Sequence, residues 1–301
     1  VGRAKKPYFK RVAVVGVGLI GGSLAIELRG SKMAGSICGV GRGLKNLKTA
    51  KRLGIIDEYT TDVLKGVADA DLIVLAVPVS RTAGLVKAAA NALKPGAIVT
   101  DVGSVKKAVV EACEPLMPEG VFFVGGHPIA GTEHSGAESA FAGLFKGRRT
   151  IITPTKKTSK GALKAVTQVW KAAGSEVVIM DAGTHDRVLA AVSHLPHMIA
   201  YTLVGAVADL GSVDNGEKIV KYSAGGFRDF TRIASSSPEM WREICELNGR
   251  EIVSSLDYFM KKLSMLKADI KAKKFDRVQR EFERAKNVRD SLKSGVKGWR
   301  K

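Results

Sequence analysis

Short apolar runs rich in β-branched residues alternate with helical stretches over roughly the first 180 residues. The segments RVAVV (11–15), SICGV (36–40), DLIVLAV (71–77), AIVTD (97–101), VFFVG (121–125), RTIIT (149–153) and EVVIM (176–180) read as strands, and 44–53, 79–93, 105–117 and 159–173 as helices. Such alternation predicts an α/β fold with a mostly parallel sheet covered on both faces. After Met180 the strand pattern stops. Residues 184–209 read as helical except at Pro196, which kinks the element or starts a second helix. Ser237-Pro238-Glu239 supplies a cap, a proline at the first helical position and an early acid. Apolar Met240, Ile244, Leu247, Ile252, Leu256 and Phe259 then recur at roughly helical spacing, and a further helix is expected over about 267–293. The pattern places a domain boundary near 180, with an α/β domain over 1–180 and an all-helical domain over 181–301. Apolar stripes on so thin a helical layer need a partner, so a homodimer through the helical domain is expected.

Charge changes this picture little. The net charge is +19, but residues 1–11 carry five basic side chains and no acid, and residues 261–301 carry a net +10. The remaining body is nearly balanced, and no nucleic-acid motif accompanies the basic ends. They read as solvated surface. The three cysteines, Cys38, Cys113 and Cys245, are scattered without a CxxC pair, as expected of a reducing cytoplasm and not of a disulfide or zinc framework. Apolar runs are expected to be interrupted by Gly, Pro or charge before they reach membrane-spanning length, and the basic first residues lead straight into a strand without a secretory leader.

Gly16-Val17-Gly18-Leu19-Ile20-Gly21 directly follows the first strand and opens a helix, the setting that gives a GxGxxG pattern its meaning. Gly16 permits the tight turn, Gly18 lets the backbone approach a pyrophosphate, and Gly21 allows close helix–sheet packing. The phosphates would rest on unpaired amides at the helix N-terminus. This is the signature of a Rossmann-type domain binding NAD(P)+, with Leu19, Ile20, Val77 and Pro78 expected against the cofactor. NAD sites usually end the second strand with an acid that holds the ribose 2′-hydroxyl. Here Val40-Gly41-Arg42-Gly43 has none, and Arg42 could pair with a 2′-phosphate, which favours NADP over NAD. The alternative is that Arg42 stacks on adenine and the enzyme uses NAD or both.

Three polar clusters lie further along. His127 follows a strand and two glycines and leads into PIAGTEHSG (128–136); a neutral imidazole there can accept a hydroxyl proton while hydride leaves the adjoining carbon. His185-Asp186-Arg187 precedes Ser193-His194-Leu195-Pro196-His197, and the seven-residue spacing puts Arg187 and His194 on one helical face. No Cys or carboxylate set completes a metal site around these histidines, so none is expected. In Gly225-Gly226-Phe227-Arg228-Asp229-Phe230-Thr231-Arg232, two arginines flank an acid; they could clamp carboxylates, with Asp229 fixing one guanidinium. Each cluster also has an ordinary structural reading, as a loop, a packed helix or a solvated face.

Taken together, GVGLIGGS (16–23), DVGSVK (101–106), GGHPIAGTEHSG (125–136), HDRVLAAVSHLPH (185–197) and GGFRDFTRIA (225–234) with Met240-Trp241 resemble the prephenate dehydrogenase family, which includes arogenate and cyclohexadienyl dehydrogenases. The resemblance implies oxidative decarboxylation of prephenate to 4-hydroxyphenylpyruvate in tyrosine biosynthesis, with hydride passing to NAD(P)+ and no metal. It assigns His127 the ring 4-hydroxyl and its proton, and Ser104 a contact with that hydroxyl and the nicotinamide. His194 would shape the pocket, and Arg232, supported by Asp229, would bind a substrate carboxylate. His185, Asp186, Ser193, His197, Thr132 and Glu133 would be pocket or gating residues, and Trp241 would lie beside the pocket or in the ordinary core. Arogenate or dual specificity, a β-hydroxyacid dehydrogenase and a non-catalytic nucleotide-binding protein are the competing readings.

Overall fold

The central strands divide their side chains between two cores. Val12 and Val14 of β1 (Phe9–Val15) and Leu72 and Val74 of β4 (Leu72–Leu75) face one, while Ala13, Val15, Ile73 and Leu75 face the other. Successive strand residues point to opposite faces, so a strand apolar throughout is covered on both. On the first face lie α1 (Leu19–Gly30), α2 (Leu44–Arg52) and α6 (Lys160–Ala172), which bring in Leu24, Leu47 and Trp170. On the second lie α3 (Val63–Val67), α4 (Val79–Ala89) and α5 (Lys107–Cys113), with Val67, Val86 and Val109.

These strands belong to an eight-stranded sheet in a computed structural model that describes residues 7–132, 134–213 and 217–295. The other strands are β2 (Ala34–Val40), β3 (Glu58–Thr60), β5 (Ile98–Asp101), β6 (Phe122–Pro128), β7 (Arg149–Thr153) and β8 (Glu176–Ile179). Their order is β3-β2-β1-β4-β5-β6-β7-β8, parallel through β6, after which β7 and β8 run the other way. The mostly parallel Rossmann-type sheet is therefore present. Strand order reverses between β1 and β4, and the carboxyl ends of such strands form the ligand crevice. The three-residue β3 escaped the sequence reading because it is polar and partly exposed. A second difference matters more: β6 continues to Pro128, so His127 lies within the strand, paired with Ile151 of β7.

Beyond the sheet the chain is helical. Between α7 (Ala182–Leu189) and α8 (Leu195–Asp209), residues Ala190–His194 take the wider π-helical register. Pro196 accounts for it: the ring has no N–H to give the carbonyl of Val192 and crowds that oxygen, and a wider turn relieves both. An inserted residue rotates the succeeding helix by about 100°. Arg187 is consequently exposed while His194 is buried, and the expectation that they share a face is corrected. The whole stretch Ala182–Asp209 is long and apolar enough to cross a membrane by length and composition, and Val188–Ala208 carries no Asp, Glu, Lys or Arg. The expectation that every apolar run is interrupted short of that length is therefore corrected as well. Only 22% of its most apolar window is buried within the single chain.

After α9 (Gly225–Thr231) comes α10 (Pro238–Lys271), capped as expected by the Ser237 hydroxyl, which accepts the Met240 N–H (3.3 Å). Asn248 breaks its helical geometry with φ −120° and ψ 23°. The chain forms two compact units, one ending at Gly249 and the other beginning at Arg250. Within the second, Lys273 at φ +53° ends α10 through paired bonds, Lys273 N–H to Ile270 O and Lys274 N–H to Asp269 O. The helix expected over 267–293 is thus interrupted, and α11 (Phe275–Gly295) starts anew. Tyr258, Leu263, Ile270, Phe275 and Phe282 are exposed along this unit.

Candidate active site

The glycine turn after β1 is built for a close visitor. Gly16 has φ +94°, and a Cβ there would lie 2.1 Å from the Ala76 carbonyl oxygen at the end of β4. A Cβ on Gly21 would lie 2.2 Å from the Gly16 carbonyl, so only glycine lets α1 pack this closely on the strands. Gly18 differs. A Cβ there would meet nothing within 4 Å, and Gly18 caps α1 without a side-chain bond and without an acid in the first turn. The space beside Gly18 and the uncapped amides fit a pyrophosphate. Leu19 is buried and Ile20 half-buried, with Val77 against Gly16 and Pro78 exposed at the start of α4. Asn46 fastens the turn: its amide donates to the Val17 carbonyl (2.7 Å) and its oxygen accepts the Ala137 N–H (2.8 Å). Arg42 is exposed two residues past the end of β2, and Gly41 lies near Leu47.

A linked set of titratable groups sits at the far end of β5 and β6. His127 Nδ1 is 2.8 Å from His185 Nε2, and His185 Nδ1 is 2.7 Å from Asp186 Oδ1. Asp186 also accepts the main-chain N–H of Lys106 (2.8 Å) and Lys107 (2.9 Å), which ties α7 to the start of α5. His185 and Asp186 are buried, while His127 keeps some exposure. Desolvation holds His127 well below the ordinary histidine range, and coupling to His185, to the Lys106 ammonium and to His194 pushes the same way, since a proton on His127 would oppose positive charge at any of them. Burial also lowers His185, although the Asp186 bond pulls the other way. His127 is therefore neutral near neutral pH and free to take a proton.

Asp101 and Lys106 were not singled out from sequence, yet they form a fully buried ion pair beneath this histidine. Asp101 accepts the Gly126 N–H (3.1 Å) and the Gly103 N–H (2.9 Å), and the Lys106 ammonium donates to the Gly126 carbonyl (3.0 Å). Both polar groups of Gly126 are held, which fixes the backbone leading into His127. Ser104, half-buried, projects from the loop between the two charged residues. The signal was present as an Asp and a Lys bracketing DVGSVK, but burial of both cannot be read from spacing.

Asn248, also missed, joins this network to the helices. Its amide nitrogen donates to the Asp186 carbonyl (2.9 Å) and lies 3.2 Å from His194 Nδ1. An NH2 group only donates, so His194 accepts at Nδ1 and carries its proton on Nε2. That Nε2 is buried without a hydrogen-bond partner among the described residues. Burial lowers the His194 pKa to about 4. Trp241 meets the His194 ring edge-on (centroids 5.8 Å) and stacks on His197 (3.9 Å), so both histidines pack against one indole. His197 Nδ1 donates to the Ser193 carbonyl (2.9 Å). Burial lowers the His197 pKa against the pull of that bond, and the nearby Arg232 charge adds to the lowering. Glu243, a fourth residue overlooked, is buried and accepts the Ser80 N–H at the start of α4 (3.3 Å).

The remaining expected residues are less engaged. Arg232 and Asp229 are both exposed, and among the described residues Asp229 forms no ion pair with Arg228 or Arg232. The expected clamp is corrected to that extent: Asp229 lies in α9 and Arg232 just beyond it, both in solvent that weakens any attraction. Thr132 is exposed, with its hydroxyl accepting the His134 N–H (3.3 Å). Glu133 lies outside the described residues. No group of three His, Cys, Asp or Glu among the described residues is placed to hold a metal ion.

A dinucleotide cradle at the sheet's switch point and a neutral histidine at its carboxyl end define a nucleotide-dependent dehydrogenase. Residues 24–179 match the nucleotide-binding domain of prephenate dehydrogenase, and residues 181–284 match its dimerization domain. The cyclohexadienyl dehydrogenase of Zymomonas mobilis is 36% identical over 287 residues, covering 95% of this chain and 97% of the relative. The crystal structure of Aquifex aeolicus prephenate dehydrogenase in complex with hydroxyphenyl propionate and NAD+ superposes with a TM-score of 0.89 at 38% identity, covering 94% of this chain and 98% of that one. Synechocystis arogenate dehydrogenase superposes with a TM-score of 0.81 at 30% identity, covering 94% and 99%. The chain belongs to the prephenate dehydrogenase family. It is an enzyme of the prephenate, arogenate and cyclohexadienyl dehydrogenase group and works with a nucleotide cofactor.

Proposed function

We propose that this enzyme oxidises and decarboxylates prephenate to 4-hydroxyphenylpyruvate, a step of tyrosine biosynthesis, using NADP+ in preference to NAD+. The observation that carries the reading is neutral His127 at the end of β6, backed by His185. When bound, the dinucleotide supplies the hydride acceptor. His127 takes the proton of the ring 4-hydroxyl as hydride leaves the same carbon, and Ser104 hydrogen-bonds the oxygen. The electron pair of the C–CO2 bond then moves into the new ring ketone, carbon dioxide departs, and the phenolate recovers a proton from His127. His194 offers its Nε2–H to substrate or nicotinamide. Arg232 pairs with a substrate carboxylate, and His197, Ser193, Thr132 and Asp229 complete the surroundings.

Prephenate is favoured over arogenate because arogenate's ammonium needs a carboxylate. Among the described residues the buried acids are taken: Asp101 by Lys106, Asp186 by His185 and two amides, Glu243 by Ser80 N–H. NADP+ is favoured because no acid follows β2 and Arg42 is open to a 2′-phosphate. The exposed apolar surface of Ala182–Asp209 and of α10–α11 supports a homodimer through the helical region. The scattered free cysteines accord with a cytoplasmic enzyme. The test is a steady-state matrix of prephenate and arogenate against NAD+ and NADP+. Higher kcat/KM for prephenate with NADP+ is expected; higher efficiency for arogenate with both cofactors would overturn the substrate assignment.

A further inference from the structure

His127 can act as a base only if the nitrogen facing substrate is the unprotonated one. A neutral imidazole carries a single N–H, so its role is decided by the partner of its other nitrogen. That partner can be traced through three residues. Asp186 is pinned by the main-chain N–H groups of Lys106 and Lys107, and its Oδ1 also meets His185 Nδ1 at 2.7 Å. Main-chain amides only donate, so the carboxylate they surround is left as an acceptor toward His185. The proton of His185 therefore sits on Nδ1, and its Nε2 is a lone pair. That lone pair is 2.8 Å from His127 Nδ1, which must bring the hydrogen. The lone pair of His127 is left on Nε2.

We propose that Asp186, acting through His185, is the positioning pair that holds His127 in its Nδ1–H form with Nε2 open as the proton acceptor. The inference rests on the reading of His127 as the base. It gives His185 and Asp186 a directional role, distinct from lining or gating a pocket. When His127 takes the hydroxyl proton at Nε2, its Nδ1–H stays on His185, and the Asp186 carboxylate faces the new positive charge through one imidazole. No proton need leave the chain of three. The clamp of Asp101 and Lys106 on Gly126 keeps the His127 main chain still, so the ring's partner and its backbone are both fixed by the stretch 101–107.

The experiment is imidazole 15N NMR on the full chain with histidine-selective labelling, with His127→Asn identifying the His127 resonances. Above its titration, His127 should show a protonated Nδ1 and an unprotonated Nε2. His185→Leu removes the acceptor. It should move His127 toward the Nε2–H form and lower kcat for prephenate by about 10²-fold while changing KM less than about twofold. His185→Gln, whose amide oxygen can accept from Nδ1–H, should restore the Nδ1–H signature and much of kcat. Wild-type His127 protonated at Nε2 would overturn the proposal, as would an unchanged tautomer and kcat in His185→Leu. If His127→Asn itself kept near-normal turnover, the base assignment would fail instead. The wild-type spectrum tests the proposal even if the leucine variant does not fold.

Discussion

The two sides of the site are built to opposite standards. On the strand side, Asp101 and Lys106, joined by His185 and Asp186 from α7, are buried and paired, and their bonds converge on the residues flanking and facing His127. On the helical side, Arg232 and Asp229 stand in solvent and unpaired with each other, although His194 and His197 nearby are packed on Trp241. On the proposed roles, the difference separates two tasks. Proton transfer demands a fixed tautomer and a fixed direction, which a rigid, satisfied network supplies in advance of substrate. Recognition of a mobile carboxylate can be left to an exposed cation that orders when its partner arrives, at little cost to the free protein.

If the strand side is the structural one, breaking it should hurt most. Lys106→Met leaves the Asp101 carboxylate buried without its cation and should destabilise the fold by about 3–5 kcal/mol, measured by denaturant unfolding. A loss below about 1 kcal/mol would show that the pair is solvated and the contrast false. Acid should come next. The four histidines of the site all have lowered folded-state values, so the unfolded chain binds more protons below its ordinary pKa near 6.5. Stability should be full above that value and fall as pH drops from about 6.5 toward the folded values. His194, at about 4, should contribute roughly 3 kcal/mol of that loss. A flat unfolding free energy between pH 7 and pH 5 would contradict this.

The helical side should answer in binding and not in stability. Arg232→Ala should leave unfolding within about 0.5 kcal/mol of the parent. It should raise the KM for prephenate roughly 10-fold or more at saturating cofactor, the scale of a lost charge-assisted bond. An unchanged KM would return Arg232 to the solvated surface. The smallest effect is expected at Arg42, which is exposed to solvent: Arg42→Ala should shift the ratio of kcat/KM for NADP+ over NAD+ by a few-fold toward NAD+. No shift in that ratio would mean that the open end of β2 reflects tolerance and not preference.

Much of this was legible in the chain, for physical reasons that also mark where reading stopped. All-apolar runs such as VAVV and LIVL announce buried parallel strands, and the spacing of Gly16, Gly18 and Gly21 after one of them is a steric requirement that writes itself into sequence. His127 was found by its setting, although the strand runs past it instead of ending before it, because pairing with β7 extends β6 beyond its parallel neighbour. Asp101, Lys106, Asn248 and Glu243 were passed over because charged and amide side chains are usually on the surface, and their burial depends on partners up to 163 positions away, as with Glu243 and Ser80. The π turn before Pro196 reversed a face assignment made on ideal helical periodicity. Local rules locate elements; long-range polar pairing had to be observed.

The most direct test of the central claim, that His127 is the base of a prephenate dehydrogenase, is the turnover of purified His127→Asn with prephenate and saturating NADP+. The variant should unfold at the parent's denaturant midpoint within error and bind the dinucleotide with unchanged affinity, while kcat falls about 10²–10⁴-fold. Near-normal kcat in a folded, cofactor-binding variant would contradict the account.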